Sequence, residues 1–442
     1  MQSTTLWPPH WKFLFLTFGC KVNQYETEAL REAWCKLGGQ ECKDPQAADV
    51  ICINSCAITA KGERDCRAAI YRIRRANQHA KLILTGCAAL LCANLGHAKD
   101  LQIDAIVPQA NKASLLAGPF KLLPPTSCAP TDIYPPFAIS SYQRARPVLK
   151  IQDGCTHHCT YCIVPNMRPV LASRSPQDIV AEARRLLTQG FPELIISGIN
   201  LKLYAKDKPE FGDFWHLLNY LEQELSPEYA GRARLRLSSI EPSQLTPQGL
   251  ETLAASKLLC PHLHISLQHV TPHILQRMGR GHYRVQQLTS AIETIQKFWP
   301  TFALGCDLIS GFPGEDAAAH QELLAVCQDI PFTYAHIFPY SARPNTVAAA
   351  FHDQIPSAVK LQRAAELRQL FQEKKRAFTT LLLQKQDPLH VVFDSKIGTQ
   401  AKGVCEYYVQ CHCNTHLDSA HKLHTMLPVE ITEHGIIVQP QR

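Results

Sequence analysis

Three cysteines with the spacing C-x3-C-x2-C lie in one short segment near the middle of the chain. They are Cys155, Cys159 and Cys162. Three thiolates on one loop can hold three irons of a [4Fe–4S] cluster and leave the fourth iron open to a ligand. Zinc is an alternative, because His157 or His158 could complete the four ligands that a structural zinc site prefers. Three buried thiols without a metal are a further alternative, but Tyr161, Pro165 and the two histidines make this loop too polar and too rich in turn residues for a core segment.

Composition and charge limit the class of protein. The chain has 442 residues, 18 of them Cys, with 45% hydrophobic and 19% charged residues, which is ordinary for two or three globular domains. The formal net charge of +7 permits an RNA partner without requiring one. The cysteines are too scattered for a disulfide scaffold, and no signal peptide or membrane-length apolar run is found. We therefore expect a cytoplasmic protein without a membrane segment.

Most of the other cysteines are expected to be small buried residues. Examples are Cys35, Cys66, Cys260 and Cys327. Cys52 falls inside a predicted strand and is also expected in the core. Cys411 and Cys413, one residue apart in a strand-like run, are expected in the core or on the surface rather than on a metal.

Strands and helices alternate in the first hundred residues. The predicted elements are strands at 12–17, 49–54, 81–85 and 104–107 and helices at 22–37 and 62–78. Such alternation predicts a parallel sheet with right-handed crossovers. Cys20, Cys56 and Cys87 each follow one of the first three strands, at the edge where α/β sheets bind ligands. Three loops can thus bring a second set of three thiolates together.

A second α/β segment follows a linker rich in Pro and Ser at 114–142. Its strands are predicted at 148–152, 194–197, 234–239, 262–267, 302–309 and 334–338. Six such units are too few for a closed eight-stranded barrel. The loop that contains Cys155 follows the first strand, at the carboxyl end where barrel enzymes carry their chemistry.

These motifs resemble those of the radical S-adenosylmethionine (SAM) superfamily, in which Tyr161 would be the aromatic residue before the last Cys. The segments Gly19–Glu26, Asn54–Thr59 and Thr85–Ala88 resemble the methylthiotransferase family more narrowly. The resemblance implies an α/β fold class with three domains. They are an N-terminal parallel α/β sheet domain at 11–113, an open (β/α)6 radical SAM barrel at 141–371, and a small C-terminal β-barrel of the RNA-binding TRAM type at 386–442.

The resemblance also implies the cofactors, which are two [4Fe–4S] clusters and SAM. Cys155, Cys159 and Cys162 would hold the cluster that cleaves SAM, and an auxiliary cluster would be held by Cys20, Cys56 and Cys87. Motifs at the strand ends are similar to those that lie near SAM in the family. The residues that they place there are Tyr161, Gly198, Glu241 and Gln268.

The family activates an unreactive C–H bond with a radical generated from SAM, and the cofactor carries the chemistry. The segments Gly19–Glu26, Ser197–Asn200 and Arg236–Pro242 are similar to the branch that adds a methylthio group to C2 of N6-threonylcarbamoyladenosine at position 37 of tRNA. The expected partners are the anticodon loop of tRNA and an electron donor such as flavodoxin or ferredoxin. No oligomeric state is predicted. Isopentenyladenosine in tRNA and a ribosomal protein are alternative substrates.

A redox-sensing iron–sulfur protein that binds RNA is the alternative from another class. It would keep the cysteines but need no SAM pocket, and the strand-end motifs argue against it. Four arginines are expected to bind tRNA phosphates from one face of the second helix. They are Arg64, Arg67, Arg74 and Arg75. The candidates for binding the substrate carboxylate are Arg168, Arg174 and Arg343.

Overall fold

The structure is a computed structural model that describes residues 10–94, 101–120, 134–397, 400–414 and 422–441. It contains a parallel α/β sheet, an open barrel and a small closed β-barrel, in that order. The predicted fold class is confirmed. The predicted linker lies partly outside the described ranges, and the domain bounds stay a prediction. Within the described ranges, no helix combines the length and the apolar composition that crossing a membrane requires.

The N-terminal unit is a five-stranded parallel sheet with the order β2-β1-β3-β4-β5. Its strands are β1 (Trp11–Thr17), β2 (Gly39–Glu41), β3 (Val50–Ser55), β4 (Lys81–Gly86) and β5 (Ala105–Val107), and its helices are α1 (Lys21–Lys36), α2 (Ala60–Ala76) and α3 (Cys87–Asn94). The sequence analysis missed β2 and α3, because β2 has only three residues and no apolar side chain, and α3 has only eight residues.

The barrel is built from two four-stranded sheets with the orders β7-β6-β8-β9 and β10-β11-β12-β13. Its strands are β6 (Val148–Asp153), β7 (Ala172–Ser173), β8 (Glu193–Gly198), β9 (Arg234–Leu237), β10 (Ser239–Ile240), β11 (His262–Gln268), β12 (Ala303–Ser310) and β13 (Tyr334–Pro339). Only Ser238 separates β9 from β10, so the two sheets form one curved wall. All six predicted strands are present.

Helices alternate with these strands. They are α4 (Val164–Met167), α5 (Pro176–Thr188), α6 (Phe214–Tyr229), α7 (Pro247–Ala255), α8 (Pro272–Arg277), α9 (Val285–Phe298) and α10 (Ala317–Asp329), followed by the long helix α11 (Ser357–Lys385). The start of α5 shows how the sequence defines a boundary. Ser175 accepts a hydrogen bond from the backbone N–H of Asp178, and Pro176 occupies the first turn.

The C-terminal unit is a closed five-stranded barrel. Its strands are β14 (Leu389–Ile397), β15 (Gln400–Cys405), β16 (Gln410–Cys413), β17 (His424–Thr432) and β18 (Gly435–Pro440). Arg234 and Arg236, at the start of β9, donate hydrogen bonds to its backbone carbonyls, and both bind the buried Glu193. The closed barrel therefore covers the amino-terminal ends of the open-barrel strands.

The cysteines expected in the core are buried with one exception. Cys411 and Cys413 lie in the core of the closed barrel, and the other buried ones are Cys52, Cys66, Cys260 and Cys327. The expectation for Cys35 is wrong. It lies in the last turn of α1 and is exposed.

A buried ionic network joins the N-terminal sheet to the open barrel. The wholly buried carboxylate of Glu26, on α1, accepts hydrogen bonds from Lys112 Nζ (2.5 Å), Lys150 Nζ (2.7 Å) and Arg168 Nη1 (2.9 Å). Lys150 and Arg168 also bind the carboxylate of Asp153. Burial alone would raise the pKa of Glu26, but the three cations outweigh it and hold this pKa well below its usual range.

Replacing Glu26 by Ala should strongly destabilise the protein, because Lys112 would lose its carboxylate and Lys150 and Arg168 would be left to share Asp153. Breaking a buried ion pair costs about 3–5 kcal/mol. The measurement is urea-induced unfolding followed by tryptophan fluorescence. The control is Glu41→Ala, which removes an exposed carboxylate that accepts a hydrogen bond from Gln143 Nε2 at 2.9 Å. We expect this control to cost less than about 1 kcal/mol. Equal losses in the two variants would contradict the central role of Glu26.

Candidate active site

The C-x3-C-x2-C cysteines lie together in the loop between β6 and α4. The thiols of Cys155 and Cys162 interact electrostatically with each other and with Cys159. Burial raises the pKa of both thiols, that of Cys162 to about 12, because it disfavours the thiolate. The backbone N–H groups of His157 and Val164 donate hydrogen bonds to the sulfurs of Cys155 and Cys162, respectively. Such bonds tune iron–sulfur clusters.

The second set of cysteines lies at the carboxyl ends of β1, β3 and β4. It consists of Cys20, Cys56 and Cys87, whose thiols interact with one another. Gly19 has φ +93°, and a Cβ at this position would lie 2.7 Å from Cys56 Sγ, so only glycine allows the two loops to approach so closely. The backbone N–H groups of Asn23 and Ile58 donate hydrogen bonds to the sulfurs of Cys20 and Cys56, respectively.

The donor chemistry of both sets fits a [4Fe–4S] cluster with one open iron. Each set offers three neighbouring sulfurs, backbone N–H donors and a nearby guanidinium, which favours thiolates. The positive charge of Arg168 favours the thiolate of Cys20, and Arg280 Nη1 lies 3.8 Å from Cys159 Sγ. The ring of His157 faces the carboxylate of Glu241 instead of the three thiols. This orientation favours iron–sulfur ligation over zinc.

Both cysteine loops border one cavity of about 350 Å³. Ile58 and Thr59, just beyond Cys56, form one side, and Tyr161 and Cys162 form another. Elsewhere the loops are in contact, because Ile163 belongs to the same buried hydrophobic cluster as Ala57 and Cys87. The loops that carry the two sets of cysteines therefore border one common space, which Cys162 lines directly and which Ile58 and Thr59 line next to Cys56.

Glu241 is the most highly connected of the four residues predicted to lie near SAM. Its buried carboxylate lies 3.2 Å from His157 Nδ1, 3.2 Å from Lys202 Nζ, 3.0 Å from His282 Nε2 and 3.6 Å from Arg280 Nη1. Burial would raise the pKa of Glu241, but these donors and cations hold it well below its usual range. An ionised carboxylate is thereby fixed beside the loop that contains Cys155 and Cys159.

The other three predicted residues also border the cysteine loop or its strand. Tyr161 and Gln268 line the cavity beside Cys162. Gln268 has φ +66°, a conformation that is uncommon for a residue with a side chain and that is found at functional sites. A Cβ on Gly198 would lie 3.1 Å from Gln152 Oε1, so a side chain at this position would crowd Gln152. That these residues contact SAM stays a prediction.

Arg280 is a residue of this site that the sequence analysis missed. Its side chain is buried, and Nη2 donates a hydrogen bond to the carbonyl of Ser266 at 2.8 Å. A Cβ on the preceding Gly279 would lie 2.7 Å from the carbonyl of His158, so this turn is in close contact with the cysteine loop. A Met-Gly-Arg segment after a short helix has no pattern that would have predicted this placement.

A polar cluster lies on the inner face of the barrel beside the cavity. Asp307 Oδ1, on β12, is 3.1 Å from His264 Nε2 on β11 and 3.2 Å from His336 Nδ1 on β13. Burial would raise the pKa of Asp307, but the two histidines hold it below its usual range. Asp307 also lines the cavity. One charged side chain thus borders a cavity whose other walls are largely apolar.

The three arginines expected to bind a substrate carboxylate are already paired, so this expectation is wrong for the structure described. Arg168 belongs to the ionic network around Glu26. Arg174 binds Glu182 at 2.8 Å, and Arg343 binds Glu63 at 2.7 Å. A guanidinium that is buried and paired is not free to bind a ligand unless it leaves its partner.

The proposed RNA face of α2 needs one correction. Arg74 is buried and donates hydrogen bonds to the carbonyls of Gln102 and Ala80, so its role is structural. Arg64 and Arg75 are exposed, and Arg67 lies 3.8 Å from Glu63.

Comparison with known proteins agrees with this geometry. Residues 12–107 match the model described as "Uncharacterized protein family UPF0004", and residues 149–327 match the radical SAM superfamily. The threonylcarbamoyladenosine tRNA methylthiotransferase MtaB of Aquifex aeolicus is 31% identical over 83% of this chain and 89% of its own length. MtaB of Thermotoga maritima is 32% identical over 89% of each chain. The tRNA-2-methylthio-N(6)-dimethylallyladenosine synthase of Syntrophobacter fumaroxidans is 30% identical over 81% and 80%.

A solved structure supports the fold. It is the radical SAM methyltransferase TsrM of Kitasatospora setae, with a TM-score of 0.57 and 14% identity over 76% of this chain and 75% of that chain. The fold and the site define a radical SAM enzyme, whose cofactors are SAM and [4Fe–4S] clusters. Within this superfamily the chain belongs to the methylthiotransferase family.

The assignment of the six cysteines predicts the iron content. Anaerobically reconstituted protein should contain about eight irons and eight sulfides per chain, from two four-iron clusters. Replacing Cys155, Cys159 and Cys162 together by Ala should leave about half of each, because the other three ligands lie in another unit. The control is Cys52→Ala, which changes a buried cysteine inside β3 and should leave the iron content unchanged. A triple variant that retained all of its iron would refute the assignment.

Proposed function

We propose that this enzyme adds a methylthio group to C2 of N6-threonylcarbamoyladenosine at position 37 of tRNA. The observation that carries the proposal is that the loops of the two cysteine sets touch each other and border one cavity. Methylthiolation needs one centre that activates a ring C–H and a second that provides sulfur, and both must reach the same carbon.

In this proposal each set of cysteines holds one cluster. Cys155, Cys159 and Cys162 hold the cluster that binds SAM, and the auxiliary cluster is held by Cys20, Cys56 and Cys87. When bound, the clusters and SAM supply the radical chemistry and the sulfur. The protein orients these groups and excludes water. Glu241 and Arg280 fix the SAM side of the site, and Ile309, Phe338 and Tyr340 provide apolar walls of the cavity.

The carboxylate of Asp307 on the cavity wall supports the choice of substrate. The threonylcarbamoyl group has a carboxylate, a hydroxyl and N–H donors, whereas an isopentenyl group is apolar. An apolar group against Asp307 would remove water from this carboxylate without offering it a hydrogen bond, which is costly. The relatives named for the two substrates have similar identities of about 31% and 30%, so overall similarity distinguishes them less well than the chemistry of this wall does.

The proposal extends to the partners and the compartment. Position 37 lies in the single-stranded anticodon loop, where an unstacked base can enter a protein pocket. The one-electron reduction needs a donor such as flavodoxin or ferredoxin. A tRNA substrate is consistent with a cytoplasmic enzyme.

Substrate choice is tested with two anticodon stem-loops that differ only in the N6 group of the adenosine. The reconstituted enzyme receives SAM, reductant and sulfide, and the nucleosides are analysed by mass spectrometry. We expect the threonylcarbamoyl RNA to gain the methylthio mass and the isopentenyl RNA to react at least about 10⁴-fold more slowly, because polar sites strongly reject analogues that leave their groups unpaired. Modification of only the isopentenyl RNA would refute the substrate. Failure to cleave SAM would favour a redox-sensing RNA-binding protein.

Replacing Arg64 and Arg75 together by Ala should weaken binding of every tRNA to a similar extent. Both side chains are exposed on α2, and contacts with phosphate contribute affinity without sequence preference. The slope of log affinity against log salt should flatten by about 1–2 units. The control is Arg232→Ala, which removes an exposed arginine from the far end of α6. An unchanged slope in the double variant would exclude this face from the RNA interface.

A further inference from the structure

Lys21 is a cation beside the active site that has no ionic partner in the part of the chain that the structure describes. It is the first residue of α1 and follows the cluster ligand Cys20. Its side chain is partly buried between the N-terminal sheet and the open barrel. Among the described residues, no carboxylate oxygen lies within 4 Å of its Nζ. By contrast, Arg168, Arg174 and Arg343 are all paired.

The carboxylates around Lys21 are already paired with other groups. Its strongest electrostatic neighbour is Asp307, followed by Arg236 and Arg146. Asp307 Oδ1 already lies 3.1 Å from His264 Nε2 and 3.2 Å from His336 Nδ1. Arg236 and Arg146 share the carboxylate of Glu193 with Arg234, which also lies 3.9 Å from Glu406, and Arg146 binds Asp394 at 3.3 Å. A bound anion, rather than a metal ion, would therefore balance the charge of Lys21.

A cavity of about 440 Å³ opens beside Lys21, which is within the usual range for small-ligand sites. It is lined by further donors, among them Gln24, Arg144 and Arg146, and by one carboxylate, Asp394, which Arg146 binds. Asp307 links Lys21 to the active site, because it lines the cavity beside Cys162 and is also the strongest electrostatic partner of Lys21.

We propose that Lys21 binds the carboxylate of the threonyl group and determines the specificity for the modified adenosine. This inference rests on the proposed function. C2 and the N6 group flank N1 on the same ring of adenine, so a base with C2 between the two cysteine loops extends its N6 group along the barrel wall. Along this wall the N6 group passes Asp307, and its carboxylate reaches the ammonium group of Lys21. The substrate carboxylate replaces the ionic partner that the protein does not provide, and a charge-assisted hydrogen bond of this kind is strong.

The test measures discrimination between two anticodon stem-loops, one with the threonylcarbamoyl group and one in which its carboxylate is converted to the neutral carboxamide. The readouts are the Kd of each RNA and kcat/KM for methylthiolation. We expect the wild-type enzyme to prefer the acid by about 10- to 100-fold. In Lys21→Met this ratio should fall to nearly 1 through weaker binding of the acid alone, and Lys21→Arg should retain most of it. The control is Lys36→Met, which changes an exposed lysine about 22 Å away along the same helix and should preserve the ratio.

The outcomes separate this inference from the proposed function. If the wild type modifies the threonylcarbamoyl RNA but binds acid and amide equally, the role of Lys21 is refuted without any variant. If Lys21→Met keeps the wild-type ratio, the carboxylate is bound elsewhere. If the wild type modifies only isopentenyladenosine, the proposed function fails first. Iron content verifies that each variant keeps its clusters. If Lys21→Met loses activity, the ratio of its two Kd values, which needs no turnover, still shows whether the preference for the acid depends on Lys21.

Discussion

The buried carboxylate of Glu26 is the interaction on which the geometry of the site depends. Its partner Lys112 also donates to Asn54 Oδ1 at 3.0 Å, and Arg168 donates to Asn23 Oδ1 at 3.0 Å. Asn54 comes two residues before Cys56, and Asn23 comes three residues after Cys20. The backbone carbonyl of Arg168 accepts a hydrogen bond from the N–H of Cys155 at 3.0 Å. One ionic network thus positions loops of both cysteine sets.

This arrangement explains why charges are buried where an apolar interface would be the simpler solution. A buried ion pair contributes little net stability, because desolvation offsets most of the attraction. It does require one relative position, since shifting either unit by an ångström would leave several charges without partners. Two centres that act on the same carbon need such fixed separation, because small errors in placement are costly for the reaction. The network therefore stabilises a geometry more than it stabilises the fold.

The sequence predicted features that depend on neighbouring residues in the chain. The strands, the six cysteines at strand ends and the start of α5 all follow from local patterns, and the structure has them as expected. The sequence did not predict which cations form ion pairs. Arg74 has the same helical spacing as Arg75 but points into the fold, and Arg168 finds its carboxylate 142 residues away at Glu26. Helical spacing predicts which face of a helix a residue occupies, whereas its ionic partner depends on how the units pack.

The same reasoning separates structural cations from those available to a ligand. Charged residues near an active site are all candidates in the sequence, and the arginines are the more conspicuous ones because they bind carboxylates in a bidentate manner. In the folded chain the arginines beside the cysteine loops form ion pairs with buried carboxylates. Breaking these pairs would be costly, because it would leave a buried charge without a partner. Lys21 lies in the segment Gly19–Glu26 beside Cys20, and among the described residues no carboxylate forms a salt bridge with its ammonium group. A cation whose charge the fold does not neutralise is the one that can bind an anionic substrate without breaking an existing pair.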